Sequence, residues 1–466
     1  MLLFSGVGFA QECRIEGYPY AINCIEIAPQ SKQDFLIKVF QVQSTVRYPR
    51  PEPIFWLPDG LTLNPTERAP SMISTLSRIR AQRDFMWITF EHPDKLRLKE
   101  CNPDADSTHL IIADIPHRLD PLYSTEKLSN CIHKISQLSD QAIFSYENIA
   151  QLYEETRQKL GLKQVVIVAE GRGAEIALEW QKIAPNAIRF AVMDSPTINK
   201  LDFKIEQSIS QENALNAVFN ACQKSKRCHQ EHPNPKNDLM DVISSLPQTI
   251  TVSDPLTLQK VTFEMNEVLL MQAMQFILRS SGRAKILPLL LANARKGDWQ
   301  PLVGFLGISW FKKNNKSNLG VFLLDSCRYF DPTEKKRAHG LNTIAQWFFH
   351  VGQKRMQRSC SAISITAKKE LVFNVPSLVF DGGVDPSRQK LLGFFKRSTM
   401  VYAKNAGANL LGYGCTKDVV YRFVKAMDEA ENSNYLPDVK SLDADCITQV
   451  PYPSMDNIGV FLKGSP

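Results

Sequence analysis

The chain has 466 residues, 44% hydrophobic and 22% charged, which suits a folded protein with one large α/β domain carrying an inserted subdomain, or two domains. Its formal net charge of +7 is a mild bias at this length. The short basic runs KSKR (224–227) and EKKR (334–337) read as solvated surface, so no nucleic-acid-binding arm is expected. No apolar run is long enough to span a bilayer, which excludes a transmembrane segment.

The N-terminus, MLLFSGVGFAQEC, is apolar and ends in small residues; Gly8 and Ala10 suit positions −3 and −1 of a signal-peptidase site. The positive n-region is missing, so residues 1–10 are expected to be a partial signal peptide; the plainer alternative is a buried first strand. LIKVFQVQ then alternates with period two, as a strand does. PIFWLPDG, FMWITFEHP and LIIADIP follow as short apolar runs closed by turn residues. Helical patterns cover 124–138 and 146–160, and IRFAVMDSP supplies a further buried strand. Alternating strands and helices imply a largely parallel sheet.

From about Thr197 to Lys369 helical patterns dominate, including 212–221, 267–279 and 286–294, with no clear buried strand. This stretch is expected to be a helical cap inserted into the sheet domain. The strand signal returns at 372–383 and 399–406, and 415–430 is a closing helix. The expected organisation is therefore a hydrolase-like core in two parts, 11–196 and 370–466, around a cap at 197–369.

The ten cysteines, taken in order, form five neighbouring pairs: Cys13 with Cys24, Cys101 with Cys131, Cys222 with Cys228, Cys327 with Cys360, and Cys415 with Cys446. Each pair closes a local loop. In a secreted chain this is a disulfide framework; in a cytosolic one it would be ten scattered thiols. Metal ligation has little support, since C-x-x-C and H-x-x-x-H spacings are absent. His229 and His232 beside Cys228 read as a solvated loop.

The most informative stretch is VVIVAEGRGAEIALEW, residues 165–180. A hydrophobic run, Val165 to Val168, ends in a small-residue turn that opens into an amphipathic helix. A nucleophile elbow has this layout, reading G-x-S-x-G with the serine at a strained apex. Here the five positions are Ala169, Glu170, Gly171, Arg172 and Gly173. The apex, Gly171, has no side chain with which to attack. Glycine tolerates the apex backbone at little steric cost. The elbow is therefore expected to persist as geometry, with residue 171 outside regular helix and strand conformations.

The ordered set of motifs resembles the secreted tripeptidyl-aminopeptidase-like branch of the α/β-hydrolases, relatives of the proline iminopeptidases. IAPNAIRFAVMDSP (183–196) matches the segment after the elbow helix, and TRQKLGLKQVVIV matches the helix leading into the elbow strand. Cys222 and Cys228, followed by HPNPKNDLMDVISSL, resemble the short C-x5-C of the family's cap. Cys415 with Cys446 resembles its C-terminal pair, and Cys101–Cys131 and Cys327–Cys360 suit its spacing. The resemblance implies an α/β-hydrolase fold, a mostly parallel sheet flanked by helices, with an inserted helical cap. It also implies serine exopeptidase ancestry.

Carried over one position at a time, the family's nucleophile falls on Gly171. Its acid falls on Asp385 in SLVFDGGVDPSRQ, with Gly382 and Pro386 in register. Its histidine falls on Ala408 in YAKNAGANLLG, between Gly407 and Asn409. Of the glycine-rich oxyanion loop, LPDGLTLNP keeps only Gly60, and FEHPDKL (90–96) keeps nothing of the family's next motif. A serine hydroxyl without a base is a poor nucleophile, and an acid alone only orients a histidine. Concerted loss of nucleophile, base and oxyanion loop points to a pseudoenzyme.

Two other readings compete. Dinucleotide binding fails at Ile176, where a third small residue is required. Arg172 at a helix N-terminus suits an anion, though a solvated or salt-bridged arginine is the plainer reading. A hydrolase with relocated residues would draw on Ser195 beside Asp194, His92, His117 and Glu170. The plainer reading makes these a turn cap, loop histidines and a surface carboxylate. Trp347 to His350 and GFLGISWFKK (304–313) are aromatic enough to line a groove, or to be cap core. The expectation is a secreted or periplasmic protein needing no cofactor or metal. Its former catalytic cleft, including Gly60, Glu170 and Arg172, would bind a peptide, a small molecule or a partner protein.

Overall fold

The structure, a computed structural model, describes residues 11–61, 65–92, 101, 125–138, 140–198, 202–254, 258–310, 319–361, 363, 372–391, 393–430 and 435–456. The N-terminal stretch 1–10, the run LIIADIP and His117 lie outside these residues.

Nine strands form one sheet: β1 (Gln11–Cys13), β2 (Ile22–Ile27), β3 (Leu36–Val42), β4 (Ile54–Leu57), β5 (Phe85–Glu91), β6 (Val165–Glu170), β7 (Ile188–Asp194), β10 (Ser377–Gly382) and β11 (Ser398–Ala403). Their spatial order is β1-β2-β3-β5-β4-β6-β7-β10-β11. β1, β2, β3 and β5 pair antiparallel in sequence. Every pair from β5–β4 to β10–β11 is parallel. An antiparallel edge leads into a parallel sheet in which β4 and β5 exchange places, and β6 turns straight into a helix. This is the α/β-hydrolase fold.

Helices cover both faces of the parallel part, and its central strands β4, β6 and β10 have no exposed residue. Period-two alternation divides their side chains between two cores. Phe55, Leu57, Val165 and Ile167 join Ile135, Ile149, Tyr153, Ile176 and Trp180 of α2–α4 (Thr125–Ser136, Tyr146–Lys159, Gly173–Ile183). Ile54, Trp56, Val166 and Val168 face the other way, toward α1 (Pro65–Thr75) and the closing helix α12 (Thr416–Glu429), meeting Ile73, Val419 and Phe423. Full burial of each such aliphatic or Phe side chain contributes roughly 1.5–3 kcal/mol.

Between β7 and β10 runs a long, mostly helical connection. It comprises α5 (Phe203–Lys224), α6 (Pro235–Ser244), α7 (Glu267–Leu278), α8 (Leu287–Arg295), α9 (Gln300–Trp310), α10 (Leu319–Cys327) and α11 (Thr343–Cys360). It has its own core around Leu215, Leu239, Met274, Leu290 and Phe348. Trp347 and Phe348 belong to this packing, and the Trp347 indole N–H donates to Glu267 at 3.0 Å.

The connection also holds an antiparallel hairpin, β8 (Gln248–Ser253) and β9 (Lys260–Met265), in the stretch that shows no clear buried strand in sequence. Its alternating half-exposed residues lack the continuous apolar run that marks the buried strands. His232 is buried rather than solvated, and so is Glu334 of the EKKR run, which accepts the Ile205 backbone N–H at 2.9 Å.

All ten cysteines pair in sequence order, with Cα–Cα distances from 4.8 Å in Cys101–Cys131 to 6.3 Å in Cys415–Cys446. The first bridge is more than the closure of a loop. Cys24 lies within β2, a strand the sequence reading does not anticipate, and bridges to Cys13 at the end of β1 with Cα atoms 5.9 Å apart. It ties the two antiparallel edge strands together, and Cys24 is buried in the same core as Trp56 and Val168, with Cys13 packed against that core. Among the described residues no helix is long and apolar enough to cross a membrane.

Candidate functional site

Ligands of open α/β sheets bind beyond the carboxyl ends of the strands, where the strand order reverses. In this chain that place is the end of β4 beside β6. β6 runs two residues past its apolar stretch, through Ala169 to Glu170; residues 171 and 172 make the turn, and α4 begins at Gly173. Gly171 has φ of +50°, a left-handed backbone that glycine adopts without strain. Its peptide is fixed from both sides: its N–H donates to the Asp194 carbonyl at 3.0 Å, and its carbonyl accepts from the Thr197 N–H at 2.9 Å. An elbow is therefore present in the backbone, with no side chain at its apex.

The space above the apex is filled from another strand. A Cβ placed on Gly171 would lie 2.3 Å from Asp59 Oδ1 and 2.5 Å from Asp59 Cγ. Asp59, two residues past the end of β4, thus puts its carboxylate where a nucleophile side chain would stand. Asp59 Oδ1 accepts the Arg172 backbone N–H at 3.0 Å. In an elbow, the amide following the nucleophile is an oxyanion-hole donor. Here that donor is occupied by an internal carboxylate.

Two cations hold Asp59 in place. Arg279, just past α7, donates to Oδ2 at 3.3 Å, and Arg172 Nε lies 3.7 Å from Oδ1. Burial opposes ionisation of Asp59, but the two guanidinium charges outweigh it and hold the carboxyl below the usual carboxylate range. Arg172 continues the network into the connection: Nη1 donates at 2.5 Å to Asp325 on α10, whose other oxygen accepts the Tyr146 hydroxyl at 2.6 Å. Gly60, also left-handed at φ +80°, leaves room for this guanidinium, since a Cβ there would meet Arg172 Nη2 at 2.9 Å. Arg172 is thus salt-bridged, and its neighbours Asp59, Arg279 and Asp325 are site residues that the motif comparison passes over. Asp59 carries one sequence signal: it directly precedes Gly60, just beyond the buried run IFWL.

The two positions to which the resemblance assigns an acid and a histidine, Asp385 and Ala408, also lie past strand ends and line the same cavity. Asp385, after β10, is buried and accepts the Ser387 N–H at 2.8 Å, a turn within its own loop. Burial is the main cause that pushes its carboxyl up to about 6. Ala408, after β11, stands near it on the cavity wall and donates its N–H to the Arg279 carbonyl at 3.2 Å. Arg279 therefore contacts both Asp59, through its guanidinium, and Ala408, through its own carbonyl.

Asp194, the last residue of β7, fastens the loop after Ala408 by accepting the N–H groups of Leu410 and Leu411 at 2.9 and 3.0 Å. Burial raises its carboxyl to about 7, against those two hydrogen bonds. Ser195 has a left-handed backbone (φ +49°) and donates its hydroxyl to Asp194 at 3.1 Å.

These groups line a cavity of about 290 Å³ between the sheet's carboxyl edge and the helical connection. Gly171, Arg172, Asp385 and Ala408 line it, as do Asp59, Asp194 and Ser195; Gly60 and Glu170 do not. Glu170 corrects the expectation of a surface carboxylate. It is buried at the end of β6 and accepts the Trp56 indole N–H at 2.9 Å and Arg68 at 2.8 Å. No histidine lines the cavity among the described residues. His92 is buried elsewhere, against Phe35 and Phe144 with ring centroids 4.6 and 6.0 Å away. Among the described residues no three His, Cys, Asp or Glu side chains are grouped to hold a metal ion.

No family model matches the chain, and no curated protein matches it. Solved structures that it resembles in shape include the proline iminopeptidase of Mycobacterium smegmatis, at 9% identity over 87% of this chain and 100% of that one, with a TM-score of 0.37. Another is the juvenile hormone epoxide hydrolase of the silkworm Bombyx mori, at 9% identity over 87% and 78%, with a TM-score of 0.36. A third is the naproxen esterase of Bacillus subtilis, at 9% identity over 84% and 86%, with a TM-score of 0.32. At this level of likeness the fold assignment rests on the strand order and connections described above.

Proposed function

We propose that this chain is a non-catalytic binding protein on an α/β-hydrolase fold, a degenerate relative of serine exopeptidases of the tripeptidyl-aminopeptidase-like and proline-iminopeptidase-like kind. The observation that carries this reading is the filled elbow: Gly171 at the apex, with the Asp59 carboxylate in the nucleophile's place and on the Arg172 amide. Ala408 at the histidine position adds to it, because proton transfer of the usual kind needs a base there. A tetrahedral intermediate would have to displace an anion already bound to the donor that should stabilise it.

In this reading the chain works in an oxidising compartment, secreted or periplasmic, which its five disulfides support. Residues 197–369 act as a cap between core segments 11–196 and 370–466, and the cleft beneath the cap is the binding site.

The competing reading is a hydrolase with relocated residues, and one observation favours it: Ser195 lines the cavity with its hydroxyl on a carboxylate whose pKa lies near 7. Hydrolysis of aminoacyl, dipeptidyl and tripeptidyl p-nitroanilides by the purified chain separates the two. The binding-protein reading expects rates equal to buffer alone. A rate that scales with protein concentration and disappears in Ser195→Ala would establish the competing reading.

A further inference from the structure

The helical connection does not pack as one body. Residues from Ala214 to Leu306, with Ile344, Phe348 and Val351 of α11, gather in a core of their own. Phe203, Leu324, Tyr329, Met356 and Cys360 belong instead to a core of the sheet. A unit that satisfies its apolar surface internally meets its neighbour through polar contacts and can move against it as a rigid piece.

One turn of that unit reaches the strand ends. Arg279, just past α7, donates from its guanidinium to Asp59 Oδ2 at 3.3 Å, and its carbonyl accepts the Ala408 N–H at 3.2 Å. Asp59 follows β4 and Ala408 follows β11, two strands with β6, β7 and β10 between them. The approach is close. A Cβ on Gly407 would lie 2.6 Å from the Arg279 carbonyl oxygen and 3.5 Å from Ser280 Cα, so the glycine lets the turn seat there.

The bond to Asp59 is open to water: the Arg279 side chain is 43% and the Asp59 side chain 22% exposed. An ion pair this open is screened by salt and weak enough to break and re-form. The unit is fastened separately near the N-terminal end of α5, where the chain leaves the sheet. There the Ser210 hydroxyl donates to the Arg388 carbonyl at 2.7 Å, and Glu206 accepts the Lys390 N–H at 3.1 Å. These bonds lie close to the start of the connection and suit a hinge.

We propose that the turn at Arg279 and Ser280 is a latch that closes this helical unit over the cleft, its guanidinium and its carbonyl being released together when the unit swings away. The proposal rests on the reading of the cleft as a binding site and adds how a ligand is admitted to it.

The test is hydrogen–deuterium exchange of the full chain, read at single amides by fragmentation mass spectrometry. Arg279→Met removes the guanidinium and leaves the carbonyl of residue 279 in place. Asp59→Asn removes the partner charge and keeps an acceptor for the Arg172 N–H. Neither change alters the groups that form the Ala408 hydrogen bond. In both variants the Ala408 amide is expected to exchange about three- to tenfold faster than in the parent, as loss of a partly exposed ion pair allows. The Leu270 and Met274 amides inside α7 should keep their rates, because the helix stays folded as it moves. Raising sodium chloride from about 0.05 to about 1 M should speed Ala408 exchange in the parent and not in Arg279→Met. An unchanged Ala408 rate in either variant would overturn the proposal, as would a salt response that survives in Arg279→Met. Equal acceleration of Leu270 and Met274 would overturn it too, since that marks unfolding of the unit. The nitroanilide assay is read separately: turnover with this exchange pattern intact removes the non-catalytic reading alone, and no turnover with an unchanged Ala408 rate removes this proposal alone.

Discussion

Replacing Gly171 by alanine probes the filled elbow directly. A methyl group at 171 would lie 2.3 Å from Asp59 Oδ1 and 2.5 Å from its Cγ, so the carboxylate must leave. In leaving it gives up the Arg172 N–H at 3.0 Å and the Arg279 guanidinium at 3.3 Å. Hydrogen bonds to a charged group contribute about 1.5–3 kcal/mol. The left-handed backbone at φ +50° adds about 1–2 kcal/mol for any residue with a Cβ. Gly171→Ala is therefore expected to destabilise the fold by about 3–5 kcal/mol in urea denaturation. In an Asp59→Ala background only the remaining Cβ of residue 59, 3.1 Å away, has to yield by a few tenths of an ångström. There the same substitution should cost about 1–2 kcal/mol, leaving a coupling of about 1.5–3 kcal/mol in the double-mutant cycle. A coupling below about 0.5 kcal/mol would refute the claim that the carboxylate occupies the apex.

Four further outcomes are expected. Asp385 binds its proton more tightly folded than unfolded, with a pKa raised from 3.8 to about 6. Its contribution is thus most favourable below the unfolded value and is lost as pH rises through the folded one. The amplitude is about 3 kcal/mol. Asp385→Asn should flatten that part of the stability profile measured by urea melts, and an unchanged slope would contradict the buried environment. Asp325→Asn removes the charge facing Arg172 in a largely buried pair and should cost roughly 2–4 kcal/mol, read by thermal melts. A cost under about 0.5 kcal/mol, typical of a surface pair, would contradict the network. Cys415→Ser with Cys446→Ser opens the closing bridge and should lower stability by roughly 2–4 kcal/mol. Peptide mapping without reduction should recover all five pairs in sequence order, Cys13–Cys24 included, and any crossed pair would count against the fold.

The central architecture is legible in the sequence because its physics is local. Val165 to Val168 is a continuous apolar run, as a strand buried on both faces must be, and it leads through glycines into an amphipathic helix. The filling of the elbow is not legible. Asp59 and Gly171 lie 112 residues apart, and nothing local marks which carboxylate reaches across from a neighbouring strand end. Glu170 misleads because the strand extends two residues beyond its apolar stretch, where Trp56 and Arg68 satisfy a buried carboxylate. The β8–β9 hairpin escapes notice because only one of its faces packs inward. The strand around Cys24 is hidden for a related reason: INCIEI mixes Asn23 and Glu26 into its apolar residues, so the cysteine's pairing shows in the sequence while its place in the sheet does not.

The central claim of the proposed function is that the cavity at the strand ends holds no activated nucleophile. Intact-mass spectrometry of the native chain after incubation with a fluorophosphonate probe tests it most directly. The account expects the unmodified mass, the same as for heat-denatured protein. A stoichiometric adduct that forms only on the folded chain, at Ser195 or any other serine, would contradict it.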